Sequence, residues 1–136
     1  MESPIPWGSE TVLLVEDEAV VRGLACQILE DAGYRVLVAK QGEDAIRLCI
    51  EHAQEIHLLL TDVVMPGAGG KEVADRLGSL RPGIKVLFMS GYTDEAIVHH
   101  GVLDSNVKFI QKPFSPAALA RKVREVLDSN GKVSMV

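Results

Sequence analysis

Val12-Leu13-Leu14-Val15-Glu16-Asp17-Glu18 decides how this chain folds. Four consecutive apolar residues without alternation describe a strand covered on both faces, as inside a parallel sheet. Three acidic residues follow at once, so the strand ends at a polar edge. Comparable runs recur at Val36-Leu37-Val38-Ala39, Leu58-Leu59-Leu60, Val86-Leu87-Phe88-Met89 and Val107 to Ile110.

Helical patterns fill the intervals. Val21, Leu24, Ala25, Ile28, Leu29 and Ala32 recur at the spacing of one helix face, and Asp31-Ala32-Gly33 supplies a glycine stop. The last helix opens with Ser115 as N-cap and Pro116 at its first position, places Leu119, Val123, Val126 and Leu127 on one side, and is expected to end near Gly131. Weaker patterns cover roughly 42–52, 70–80 and 94–100. The result is an α/β chain of (βα)5 type, and right-handed crossovers make it an open, doubly wound, five-stranded parallel sheet with helices on both faces. Ligands of such sheets bind beyond the carboxyl ends of the strands.

The bulk properties narrow the function. With 136 residues the chain has room for one domain and one core. Residues 11–130 carry the pattern; 1–10, with Pro4, Pro6, Gly8 and Ser9, read as a linker or tail that holds the chain's lone Trp, Trp7, and 131–136 read as a C-terminal tail. A net charge of −5 argues against direct nucleic-acid binding, which needs a basic surface. Cys26 and Cys49 lack ligand or disulfide spacing and read as small buried hydrophobes. Neither a secretory signal nor a membrane-length apolar run is seen, so the expected compartment is the cytoplasm.

Attention then falls on the residues that end the apolar runs: Glu16 and Asp17, Asp62, Ser90, and Lys112. Three carboxylates gathered at one edge repel one another and raise each other's pKa unless a cation is shared among them. A hard divalent ion with oxygen ligands, Mg²⁺ or Mn²⁺, matches Glu16, Asp17 and Asp62. A carboxylate can act as nucleophile toward phosphorus when charge on the phosphoryl oxygens is neutralised, and Lys112 and Ser90 offer two such contacts.

Val15-Glu16-Asp17-Glu18, Thr61-Asp62-Val63-Val64-Met65-Pro66-Gly67, Met89-Ser90-Gly91 and Gln111-Lys112-Pro113-Phe114 resemble the signature segments of response regulator receiver domains, over about residues 11 to 129. The resemblance implies the flavodoxin-like strand order 2-1-3-4-5. It assigns metal binding to Glu16, Asp17, Asp62 and the backbone carbonyl of Val64, phosphorylation to Asp62, and phosphoryl contacts to Ser90 and Lys112. It implies a cis Lys112-Pro113 bond and makes Phe109, with Ser90, a switch that alters the surface formed by the helix at 94–100, the fifth strand and the last helix. Val64 and Tyr92 occupy positions that influence hydrolysis of the acyl phosphate, and neither orients water, so a fairly long-lived phosphoryl group is expected.

The implied role is acceptance of a phosphoryl group from a histidine kinase or histidine phosphotransfer domain in a two-component phosphorelay, with a downstream protein target. The isolated domain catalyses only its own phosphorylation and dephosphorylation. Gly8 to Asp17 and Phe88 to Thr93 look most like receivers at the C-terminal end of hybrid sensor histidine kinases, with a stand-alone regulator as the alternative. Other classes fit less well. Haloacid dehalogenase-type enzymes carry Asp-x-Asp at the first strand where this chain has Glu16-Asp17-Glu18, and a flavin module needs a Ser/Thr/Gly phosphate loop where this one is acidic. Gly67-Ala68-Gly69-Gly70-Lys71 fails Walker spacing, and His99-His100 cannot share one helix face as a metal pair. A degenerate receiver serving only as a binding module remains a third reading.

Overall fold

The computed structural model describes residues 6–91 and 108–129. In chain order these form β1 (Thr11–Val15), α1 (Ala19–Asp31), β2 (Arg35–Ala39), α2 (Gly42–Glu51), β3 (Leu58–Asp62), α3 (Gly70–Leu80), β4 (Lys85–Ser90), β5 (Phe109–Gln111) and α4 (Pro116–Asp128). All strand pairs are parallel and the sheet order is β2-β1-β3-β4-β5, as expected for a flavodoxin-like sheet. The helix expected at 94–100, together with Tyr92, His99, His100, Val107 and Gly131, lies outside the described residues.

The period of two along a strand explains why unbroken apolar runs were needed. Val12, Leu14, Leu58, Leu60, Leu87 and Met89 face one layer with Ala25, Ile28, Leu29, Leu119, Val123 and Val126 of α1 and α4. Leu13, Val15 and Leu59 point the other way, against Ala45, Ile46, Cys49, Val73 and Leu77 of α2 and α3. Each fully buried leucine contributes about 2–3 kcal/mol of apolar transfer, so the central strands β1 and β3 carry much of the stability. Burial on both faces fails at β2, where Val38 is 40% exposed. As an edge strand, β2 has a partner on one side only.

Helix 1 departs from its expected face in a way that matters at the site. Ala25, Ile28, Leu29 and Ala32 are buried, but Leu24 is 48% exposed and Val21 only half-buried, and both line a cleft beside Asp62 and Lys112. The helix stops where expected: Gly33 takes φ +100°, and Tyr34 N–H donates to the Leu29 carbonyl at 3.1 Å. Ser115 caps α4 by accepting from the Ala118 amide at 3.1 Å, with Pro116 at the first turn. Cys49 is buried and Cys26 half-buried, and both are free thiols.

Side chains from distant elements close the helix ends away from the acidic edge. Arg81 donates to the carbonyls of Cys49, His52 and Gln54, covering the C-terminus of α2, and Lys85 donates to those of Leu127 and Ser129 at the C-terminal end of α4. The N-terminal segment is stitched on as well. Gly8 N–H donates to Ala32 at 2.9 Å, Arg35 N–H to Glu10 at 3.0 Å, and Arg124 grips the Glu10 carboxylate at 2.7 Å and 3.1 Å. That guanidinium holds the Glu10 carboxyl down at about 2. Trp7 stands 75% exposed beside this clamp. Among the described residues no helix is long and apolar enough to cross a membrane.

Candidate functional site

The carboxyl ends of β1, β3, β4 and β5 converge on one edge, and strand register explains why. Val15 pairs with Thr61, Asp62 with Met89 and Ser90 with Gln111, so the polar residues that follow each apolar run fall side by side. Glu16 continues β1 by donating its N–H to Ala39 at 3.1 Å, and its side chain is fully buried. Asp62 is 5% exposed, Ser90 is buried, and Asp17 is open to solvent.

Lys112, just past β5, reaches back into this edge. Its Nζ lies 3.1 Å from Asp62 Oδ2 and 3.2 Å from Glu16 Oε1, and its own N–H donates to the Ser90 carbonyl at 2.8 Å. The following Lys112-Pro113 bond is cis. Carboxylate oxygens of Glu16, Asp17 and Asp62 all lie within 4.8 Å of one another. Val64 lines the same cleft, with Val21, Leu24, Gly91 and Phe114 around its rim.

The glycine-rich stretch after β3 packs against this site. Gly70 is buried as the first residue of α3, and its amide donates to the Val63 carbonyl at 2.8 Å. A side chain there would run into the Asp62 carbonyl, so glycine is required for α3 to start against the end of β3. Phe109 is half-buried and paired with Phe88, in a small cluster with Val63, Val64 and Val86 beside the site. Arg22 belongs to this region although no local pattern marks it: from one turn into α1 its guanidinium reaches back to the β1–α1 turn.

Among the described residues, Lys112 is the cation paired with the site carboxylates. Burial, aided by the neighbouring Asp62, pushes the Glu16 carboxyl up to about 7 against the pull of the Glu18 amide and Lys112. Burial likewise raises Asp62, with Lys112 opposing. Burial works against the Lys112 ammonium, but Asp62 and Glu16 together outweigh it and its pKa rises. One lysine therefore does not neutralise three carboxylates, and the all-oxygen donor set fits a hard divalent cation.

A pH dependence follows. Because the folded pair binds protons more tightly than the unfolded chain, metal-free stability should fall as pH rises from about 4.5 to about 7. Urea unfolding in EDTA is expected to show a loss on the order of 3 kcal/mol between about pH 5 and about pH 8, shrinking when Mg²⁺ is saturating. Equal stability at both pH values in EDTA would show that the carboxylates are already neutralised.

The sequence profile described as response regulator receiver domain matches residues 12–124. The chain belongs to that family. The receiver is 39% identical over 121 residues to the sensor kinase CckA of Brucella abortus (strain 2308), covering 89% of this chain and 13% of that protein. It is 32% identical to the response regulator receiver protein CpdR of the same organism, covering 85% of this chain and 95% of that one. A crystal structure of the receiver domain from hybrid histidine kinase CckA superposes with a TM-score of 0.73 at 35% identity, over 86% of this receiver and 98% of that chain. The expected resemblance and fold are thus shown, and the strand-end residues named from the sequence are brought to one edge. The receiver spans only a small part of the sensor kinase it matches.

Proposed function

We propose that this receiver accepts a phosphoryl group on Asp62 from a phosphohistidine of a histidine kinase or histidine phosphotransfer domain. The observation that carries the reading is the Lys112 ammonium held between Asp62 at 3.1 Å and Glu16 at 3.2 Å at the mouth of an open cleft. A carboxylate oxygen of Asp62 attacks phosphorus, the P–N bond of the donor breaks, and the imidazole leaves with the electron pair and takes up a proton. Lys112 and Ser90 meet the phosphoryl oxygens, and a fixed ammonium is the group best suited to charge developing there.

Glu16, Asp17, Asp62 and the Val64 carbonyl would hold Mg²⁺ or Mn²⁺. When bound, such an ion supplies the positive charge that the three carboxylates and the incoming phosphoryl group lack. The apolar rim of the cleft, with Leu24 exposed and Val21 and Phe114 half-buried, gives a donor protein something to rest on next to Asp62. Occupation of Asp62 would draw Ser90 toward the phosphoryl group and let Phe109 repack, carrying the change to the surface around β5 and α4. The domain acts on itself alone, in the cytoplasm.

The parent protein is best read as a hybrid sensor kinase, which the 39% identity to CckA supports. A stand-alone regulator is the second reading, favoured by the 95% coverage of CpdR. The functional test is intact-protein mass after incubation with acetyl phosphate. A single phosphoryl adduct in Mg²⁺ and none in EDTA is expected; a folded chain that binds Mg²⁺ yet stays unmodified by both acetyl phosphate and a phosphorylated histidine protein would defeat the proposal.

A further inference from the structure

Arg22 touches none of the three carboxylates, yet it is tied to the turn that presents two of them. Its Nη1 donates to the carbonyl of Glu16 at 2.9 Å and to that of Asp17 at 3.3 Å, while its backbone N–H donates to Glu18 at 2.9 Å. From the other side, Glu16 Oε2 accepts the Glu18 amide at 3.0 Å. The turn is thus held by its carbonyls through Arg22 and by its amide through Glu16.

The two acidic residues differ in what holds them. Glu16 is buried and bonded to both Lys112 and the Glu18 amide. Asp17 is exposed, and among the described residues its carboxylate makes no hydrogen bond or ion pair. Glu18, at the N-cap of α1, provides no side-chain cap that would stiffen the turn instead. The direction of Asp17 is therefore inherited from the backbone, and Arg22 is the side chain that grips the peptide groups on either side of Asp17 Cα.

We propose that Arg22 is the positioning residue of the acidic turn, aiming Asp17 at Glu16 and Asp62 so that a divalent cation meets three carboxylates already in reach. The proposal rests on the metal-dependent reading above. Without the guanidinium the two carbonyls turn to water, the peptide planes beside Asp17 gain freedom, and ordering Asp17 becomes part of the cost of binding. Groups that orient metal ligands from outside the coordination shell are worth about 10–100-fold in affinity.

The test is calorimetric titration of the full chain with magnesium chloride, wild type beside Arg22→Ala and Arg22→Lys. Arg22→Ala is expected to raise the Mg²⁺ Kd by about 10-fold, and Arg22→Lys, which keeps a donor of different reach, by about 3-fold. Both ratios should persist in about 0.5 M KCl, where a charge acting only through space is screened. The Mg²⁺ concentration for half-maximal acetyl phosphate modification should move by the same factor, with the rate at saturating Mg²⁺ within about 2-fold of wild type. An unchanged Kd, or a ratio that collapses in salt, overturns the positioning role while leaving the phosphoacceptor reading intact. If Arg22→Ala does not fold, Arg22→Lys is judged by the same criteria. A wild-type chain that neither binds Mg²⁺ nor takes a phosphoryl group overturns the phosphoacceptor reading itself.

Discussion

Asp62→Asn is expected to take up no phosphoryl group from acetyl phosphate under conditions that modify the wild-type receiver, and to be the more stable protein at neutral pH without metal. The two effects share one cause. A carboxylate oxygen is a nucleophile toward phosphorus and an amide oxygen is a poor one, so the covalent step is lost, by at least about 10³-fold. The amide keeps the shape of the side chain and an oxygen for the Lys112 ammonium, now at 3.1 Å from Asp62. What disappears is one of two buried negative charges. Glu16, raised mainly by burial and further by Asp62, would then be the one buried carboxylate beside Lys112 and ionise more readily. Metal-free stability at about pH 8 should therefore rise by about 1–3 kcal/mol, with Mg²⁺ stabilising the variant less than the wild type. Urea unfolding in EDTA and in Mg²⁺, beside intact-protein mass, measures both effects. A phosphoryl adduct persisting on the variant would move the acceptor to another residue; a loss of stability would mean that Asp62 is held by compensating contacts rather than by burial alone.

Lys112→Met should have the opposite sign on stability and a second large effect on chemistry. Methionine keeps most of the stem, so packing changes little, but the cation that contacts both Asp62 and Glu16 is gone. Removing one partner from a buried charge cluster leaves the others uncompensated and costs about 3–5 kcal/mol. Because protonation of the carboxylates relieves the deficit, the cost should be largest at about pH 8 in EDTA and much smaller at about pH 5. Saturating Mg²⁺ should recover part of it. Phosphorylation in Mg²⁺ should slow by about 10²–10³-fold, the usual effect of losing one fixed donor to a charged transition state. A variant as stable as wild type at both pH values would show that the carboxylates do not depend on Lys112.

These two substitutions probe a site whose members and shared cation were readable in the sequence and whose direct contacts from Lys112 to both buried carboxylates were not. Asp62 and Lys112 are 50 positions apart, Glu16 and Lys112 are 96 apart, and each was legible as the polar residue ending an apolar run and as part of a receiver-like signature segment. That sufficed because strands buried on both faces admit polar side chains only where they leave the sheet, and parallel order puts those exits on one edge. The glycine stretch at 67–70 was harder to read, since its purpose is to let α3 begin against the Asp62 carbonyl, a contact that no local pattern expresses.

By itself the sequence determined the element order, the doubly wound parallel sheet, the two-layer core and the list of residues at its polar edge, because period, propensity and turn chemistry are local properties of the chain. Only the tertiary structure decided which of two adjacent acids is buried, that β2 is half open to solvent, that residues 8–10 are clamped by Glu10 and Arg124 across 114 positions, and that Arg22 turns back to hold the carbonyls of Glu16 and Asp17. Burial, charge balance and long-range hydrogen bonds depend on which elements become neighbours. That is settled when the sheet assembles, and no window of the sequence contains it.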